Sequence, residues 1–206
     1  MNPYERAVHA AYDERISTLG KIKARSLDAN ILMLAALRVL IYAQLEGGIK
    51  EQVSLLIRQI NAYKLQLGDT SPSILKWRNK RDLSRFKAAI SFENISLSFP
   101  FGNLTAQRTK ITPINRLKEF NQMNSENLAE IYTGLGFNKS IIQQTGSSIN
   151  DLVGARNDVA HHGVMPKIGK NLLEAQVRGD AAIVETVLTD MTLQNLTFFA
   201  NGLHRR

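Results

Sequence analysis

The chain has 206 residues, a formal net charge of +8 and 44% hydrophobic content, enough apolar side chain for one large domain with a real core. It holds no cysteine, which excludes disulfides, thiol catalysis and cysteine-ligated metal. The excess of 26 Lys and Arg over 18 Asp and Glu suits an anionic partner, of which nucleic acid is the commonest. The start, Met1 to Arg6, lacks the apolar stretch of a secretion signal, so a cytoplasmic protein is expected.

Residues 4–19 read as a polar-rich helix, with Pro3 suited to its first turn. Asp28 suits the N-cap of a helix through about Leu45, apolar on nearly all sides and therefore central. The run from Ile31 to Ile49 resembles a membrane span in length, yet Arg38 sits near its middle and Gly47-Gly48 interrupts it. A lone arginine at bilayer depth costs at least ~2.5–3.5 kcal/mol, so the expectation is a buried helix of a soluble protein and no membrane partner. Past the paired glycines, Ile49, Val53, Leu56, Ile60, Tyr63 and Leu67 recur at steps of four and three, one face of a second helix.

The character changes over 68–122, which reads as an insertion within a single domain spanning 1–206. Gly68 to Pro72 is a breaker cluster. The basic segment Lys76, Trp77, Arg78, Lys80, Arg81 and Arg85 interleaves cations with an aromatic ring, as phosphate pairing and base stacking require. A solvated loop or helix face is the commoner meaning of such a run. Ile90 and Phe92, then Ile95, Leu97 and Phe99, alternate with polar residues as the half-buried strands of a β-hairpin do. Helical spacing returns at Ser125–Leu135, Ser148–His162 and Asp180–Leu203, the last with Asp180 as a cap. The expected architecture is all-α, an up-and-down helical bundle with one irregular insertion.

The most informative stretch is Ala155-Arg156-Asn157-Asp158-Val159-Ala160-His161-His162-Gly163. It pairs a permanent cation with an imidazole that exchanges protons near neutrality. On a helical projection Arg156 falls within the apolar stripe of Ile149, Leu152, Val153, Val159 and Ala160. It must then find a carboxylate, an interface or a ligand. A regular helix would turn His161 away from Arg156, so their convergence is expected to need unwinding at Gly163 or a second chain. The competing structural readings are an Arg156–Glu46 ion pair and a His161 that merely complements the helix dipole. As a bare pattern the Arg–His spacing is weak; the apolar stripe, Asn157, Ala160 and Gly163 give it context.

With these residues in view, the chain resembles the HEPN superfamily (higher eukaryotes and prokaryotes nucleotide-binding domains), whose Arg-x4–6-His motif Arg156 to His161 matches. Tyr42 to Gly47, and Asn124 to Ile131 followed by Gly134-Leu135-Gly136, are similar to bacterial HEPN-like nucleases of toxin–antitoxin and defence loci. The resemblance implies a helical bundle that dimerises, placing two motifs in one cleft as a metal-independent endoribonuclease. It implies Arg156 and His161 as the active pair, with Asn157 a polar companion and His162 the other histidine the spacing tolerates. Glu46 and Asp158 are expected in support. The implied chemistry is transesterification by an RNA 2′-hydroxyl, and the implied partners are RNA, a second copy, and an antitoxin or regulatory protein. No cofactor or metal is expected: no HExxH is present, and His9 and His204 sit near opposite termini. The alternative is a catalytically silent module of the same fold that dimerises and binds a nucleotide or partner.

Overall fold

The computed structural model describes residues 1–64, 71, 120 and 122–202. Among these, five helices form an all-α bundle: α1 (Pro3–Ser26), α2 (Ile31–Ala62), α3 (Ser125–Leu135), α4 (Ser140–His162) and α5 (Lys170–Ala200). The β-hairpin expected near 90–99 and the basic segment of the insertion lie outside the described residues.

The starts and stops follow local chemistry. Asn2 caps α1 through a reciprocal capping box with Glu5, and Pro3 occupies the first turn as expected. Asn124 caps α3 by accepting from the Asn127 amide, and Gly136 ends it in the left-handed region. Gly163, at φ 63°, ends α4 in the same way. Two sequence expectations are corrected at the starts. The N-cap of α2 is Asn30, which accepts from the Met33 amide, and Asp28 lies outside the helix. Asp180 caps nothing: it is buried within α5, which begins at Lys170.

Gly47-Gly48 does not break α2, which runs as one 32-residue helix. A missing side chain is used here for approach rather than for a turn. A Cβ at Gly48 would lie 2.6 Å from Cδ2 of Leu188 on α5, and one at Gly47 would lie 3.1 Å from the Arg15 guanidinium on α1. Helical propensity around the pair and the gain from close packing outweigh the conformational cost of glycine, about 1 kcal/mol per residue. Beyond the pair, Ile49, Val53, Leu56 and Ile60 are buried as their spacing predicts. Tyr63 instead sits at the helix end and stacks on Phe199.

Helix directions follow from residue pairs. Arg38 meets Asp180, Gly48 meets Leu188 and Asn195 bonds Gln52, so α2 and α5 run parallel. Lys23 meets Glu185 and Tyr12 meets Thr189, so α1 runs against them. Asn138, just before α4, bonds Gln194, and Arg156 of α4 lies over Tyr42 of α2, so α4 is also antiparallel. One end of the bundle therefore gathers the end of α1, the starts of α2 and α5, and the end of α4. The length and apolar composition of α2 would let it cross a membrane. In the bundle it is the core helix, packed on α1, α4 and α5.

Arg38, the charge that argued against a membrane span, is buried and paired. Its Nε donates to Asp180 Oδ2 at 2.7 Å and its Nη1 to Gln176 Oε1 at 3.2 Å. Burial raises the Asp180 carboxyl above the usual carboxylate range even with the Arg38 guanidinium beside it. Desolvation thus exceeds the Coulombic gain, the regime in which a buried ion pair adds little net stability. Removing one partner still leaves an uncompensated buried charge. Asp180→Ala is expected to lower stability by about 3–5 kcal/mol, whereas the double replacement Arg38→Met with Asp180→Leu is expected near neutral. Urea unfolding midpoints of the three proteins check both statements, and equal loss in the single and double variants contradicts them.

Candidate functional site

The last two turns of α4 carry the Arg–His motif. Leu152 and Val153 anchor the helix in the core, and beyond them Arg156 and Asn157 are half-buried while His161 and His162 are exposed. α4 is helical through His162, so the expectation that convergence needs unwinding or a second chain is overturned. Positions five apart lie roughly 140° apart around a helix, but the arginine side chain is long enough to bridge that arc. Its Nη1 reaches His161 Nε2 at 2.5 Å and Asn157 Oδ1 at 2.9 Å.

A guanidinium only donates, so in this contact the His161 Nε2 stands as the acceptor. At the helix terminus, the Gly163 and Val164 amides both turn back to the Asp158 carbonyl. The Asp158 carboxylate faces the other histidine, 3.8 Å from His162 Nδ1, on an exposed surface. The two adjacent histidines therefore have different neighbours: His161 has the arginine and His162 has the carboxylate.

Beneath Arg156 lies the face of Tyr42, with the guanidinium carbon 5.3 Å from the ring centroid. This cation–π contact needs no carboxylate, and among the described residues none lies within ion-pair distance of Arg156. Glu46 does not touch Arg156. It pairs with Lys50 at 2.5 Å, and its charge acts on the phenol of Tyr42, the ring on which the arginine rests. Burial, with Glu46 adding to it, raises the Tyr42 phenol above its usual range. The same hydroxyl accepts from the Met123 amide at 2.9 Å, tying the segment before α3 to α2.

Tyr42 is the member of the site that sequence reasoning missed. It lay in the Tyr42–Gly47 stretch used for the family resemblance, but no role was read for it. The available signal was its position one turn before Glu46, on a helix otherwise apolar. Lys76, Trp77, Arg78, Lys80, Arg81 and Arg85, the expected RNA contacts, lie outside the described residues.

Next to the motif, α3 and α4 enclose an open cleft of about 380 Å³. Asn150, Gly154 and Asn157, three positions of one α4 stripe, face Asn124, Ser125 and Glu126 at the start of α3. Asn157 belongs to both the cleft wall and the motif. Among the described residues no cluster of His, Cys, Asp and Glu has the form of a metal site.

An all-α bundle with an Arg-x4-His motif at an exposed helix end defines a class of domain associated with RNA and nuclease functions. A model of the RiboL-PSP-HEPN family matches residues 10–179, and the chain belongs to the HEPN superfamily. No curated protein and no solved structure matches it.

Tyr42→Phe keeps the ring under Arg156 but strands the Met123 amide in the core. A loss of about 1–3 kcal/mol in unfolding free energy is expected from the unmatched donor. Chemical denaturation of Tyr42→Phe beside wild type measures it; an unchanged midpoint would show that the hydroxyl holds nothing.

Proposed function

We propose that the protein is a metal-independent endoribonuclease, acting as a toxin or antiphage effector under the control of an antitoxin or regulatory partner. The observation that carries this reading is the half-buried Arg156 guanidinium, uncompensated by any described carboxylate and in contact with the His161 imidazole. HEPN membership and the net charge of +8 support it.

The arginine is held by a ring face and two neutral acceptors, so its charge remains available to an anion. When an RNA phosphate enters, Arg156 turns from His161 Nε2 to a phosphoryl oxygen, and the freed lone pair faces the substrate. The neutral imidazole accepts the 2′-hydroxyl proton as that oxygen attacks phosphorus. A protonated imidazole from a second copy donates to the departing 5′-oxygen. Both guanidiniums stabilise the charge that builds on the phosphoryl oxygens, an interaction stronger in the transition state than in the ground state. The products are a 2′,3′-cyclic phosphate and a 5′-hydroxyl.

Among the described residues one imidazole touches Arg156, so the donating histidine in this reading comes from a homodimer with a composite site. Exposed apolar side chains at the motif end of the bundle favour such a contact: Ile31, Leu32 and Met33 on α2, Leu172 on α5, and Val164 and Met165 after α4. The 68–122 insertion, with Lys76 to Arg85, supplies further RNA contacts in this reading. The second reading, a silent module of the same fold, draws on the same Arg156–His161 contact, because it occupies the nitrogen that a base needs.

Cleavage of single-stranded RNA in EDTA is the deciding measurement. Arg156→Ala and His161→Ala are each expected to lower the rate by about 100-fold or more with helical content unchanged, and His162→Ala is expected to retain most activity. Activity that survives both of the first two substitutions excludes this site; wild type inert on every RNA favours the silent module. Analytical ultracentrifugation is expected to give a dimer, and a strict monomer contradicts the composite site.

A further inference from the structure

The cleft between α3 and α4 has a hydrogen-bonding character set by its own helices. The Asn150 Oδ1 accepts from the Ser125 amide, Asn124 Oδ1 from the Asn127 amide, and Asn157 Oδ1 from Arg156. Each donor here is an N–H, so the orientation of all three carboxamides is determined and each oxygen is already engaged. What each has left is its NH2, which has no partner among the described residues. The wall is therefore rich in donors, and among the described residues Glu126 is the one carboxylate on it.

That combination selects its occupant. A phosphate would match the donors but meet the Glu126 charge. A nucleobase edge with a carbonyl beside N–H groups satisfies both. Guanine alone among the four bases of RNA sets two adjacent N–H donors next to a carbonyl oxygen on its Watson–Crick edge; uracil offers one N–H, and adenine and cytosine place an acceptor beside the amine. Single-stranded RNA is commonly read through such splayed-out bases. The volume of about 380 Å³ is within the range of small-ligand clefts. Gly154 leaves the floor open, because a Cβ there would meet nothing within 4 Å.

We propose that this cleft is a guanine-reading subsite, seating the unstacked base of a nucleotide next to the phosphate held by Arg156. Guanine O6 accepts from the carboxamide NH2 groups, and its N1–H and N2–H donate to the Glu126 carboxylate. Asn157 couples the two sites, since it lines the cleft and holds Arg156. The proposal rests on the ribonuclease reading for its substrate and adds to it a base preference.

The test is binding of single-stranded RNA fully 2′-O-methylated, which removes the attacking hydroxyl and separates recognition from turnover. Fluorescence anisotropy compares oligonucleotides that differ at one position, carrying guanine, hypoxanthine, adenine, uracil or cytosine. Guanine is expected to bind about tenfold tighter than hypoxanthine, which lacks the 2-amino group, the discrimination that a bidentate contact gives. Glu126→Gln, at an exposed residue, and Gly154→Leu, into open space on a helix, are both expected to fold and to erase the preference while general RNA affinity remains. Equal affinity for all five bases, or a preference that survives Gly154→Leu, overturns the subsite. Guanine preference without cleavage of the 2′-hydroxyl RNA sinks the nuclease reading and upholds the subsite; cleavage without preference does the reverse.

Discussion

Helix α2 buries one broad apolar face along its whole length, and the other described helices take their places around that requirement. Leu34, Ile41, Leu45, Ile49, Val53, Leu56 and Ile57 are all removed from water, covered by α1, α4 and α5. Burying an aliphatic side chain contributes about 1.5–3 kcal/mol each, far more than any cap or surface pair in the molecule. The polar groups that α2 takes inside are matched: Arg38 by Asp180 and Gln176, and Gln52 by Asn195 and the Val8 carbonyl. These pairs add little net stability, but they set the register of α2 against α5, since a slip of one residue would strand them.

From that register comes the geometry of the candidate site. Tyr42 projects from α2 where α4 crosses it, and its ring becomes the surface on which Arg156 rests. A carboxylate in the same position would have neutralised the guanidinium. A ring face holds it while leaving its charge for another ligand. The tyrosine hydroxyl meanwhile holds the segment before α3 through the Met123 amide, which places α3 against α4 and so shapes the cleft beside the motif. A single side chain of the core thus governs both the cation and the neighbouring cavity.

His161 and His162 illustrate how adjacent identical residues acquire different chemistry from position alone. Both are exposed on one helix end, yet only His161 lies within reach of the arginine, and His162 sits one turn past Asp158. Local spacing tolerated either as the partner of Arg156. The choice depended on how far a half-buried arginine, its guanidinium resting on the Tyr42 ring, reaches across the helix surface.

Much of the fold was legible in the order of residues. Apolar spacing located α3 and parts of α2, α4 and α5, with α2 read as two helices, because a helix that buries one face must repeat its hydrophobic positions near every 3.6 residues. Pro3 and Gly163 mark helix limits for reasons of backbone geometry that hold in any context. The Arg–His motif was equally visible, as was the need of Arg156 for something other than water. Tertiary structure alone decided the rest. Gly47-Gly48 read as a break because local propensity says so, and became a close-approach point because Leu188 of α5 packs there. Asp180 read as a cap and became a buried counter-ion because α2 brings Arg38 to it. Tyr42 carried no local signal for its role, since a ring face recruits a cation only when another helix delivers one. Short-range rules describe what a segment does with its own backbone, while the partner of a buried charge is chosen by whichever distant helix the core forces against it.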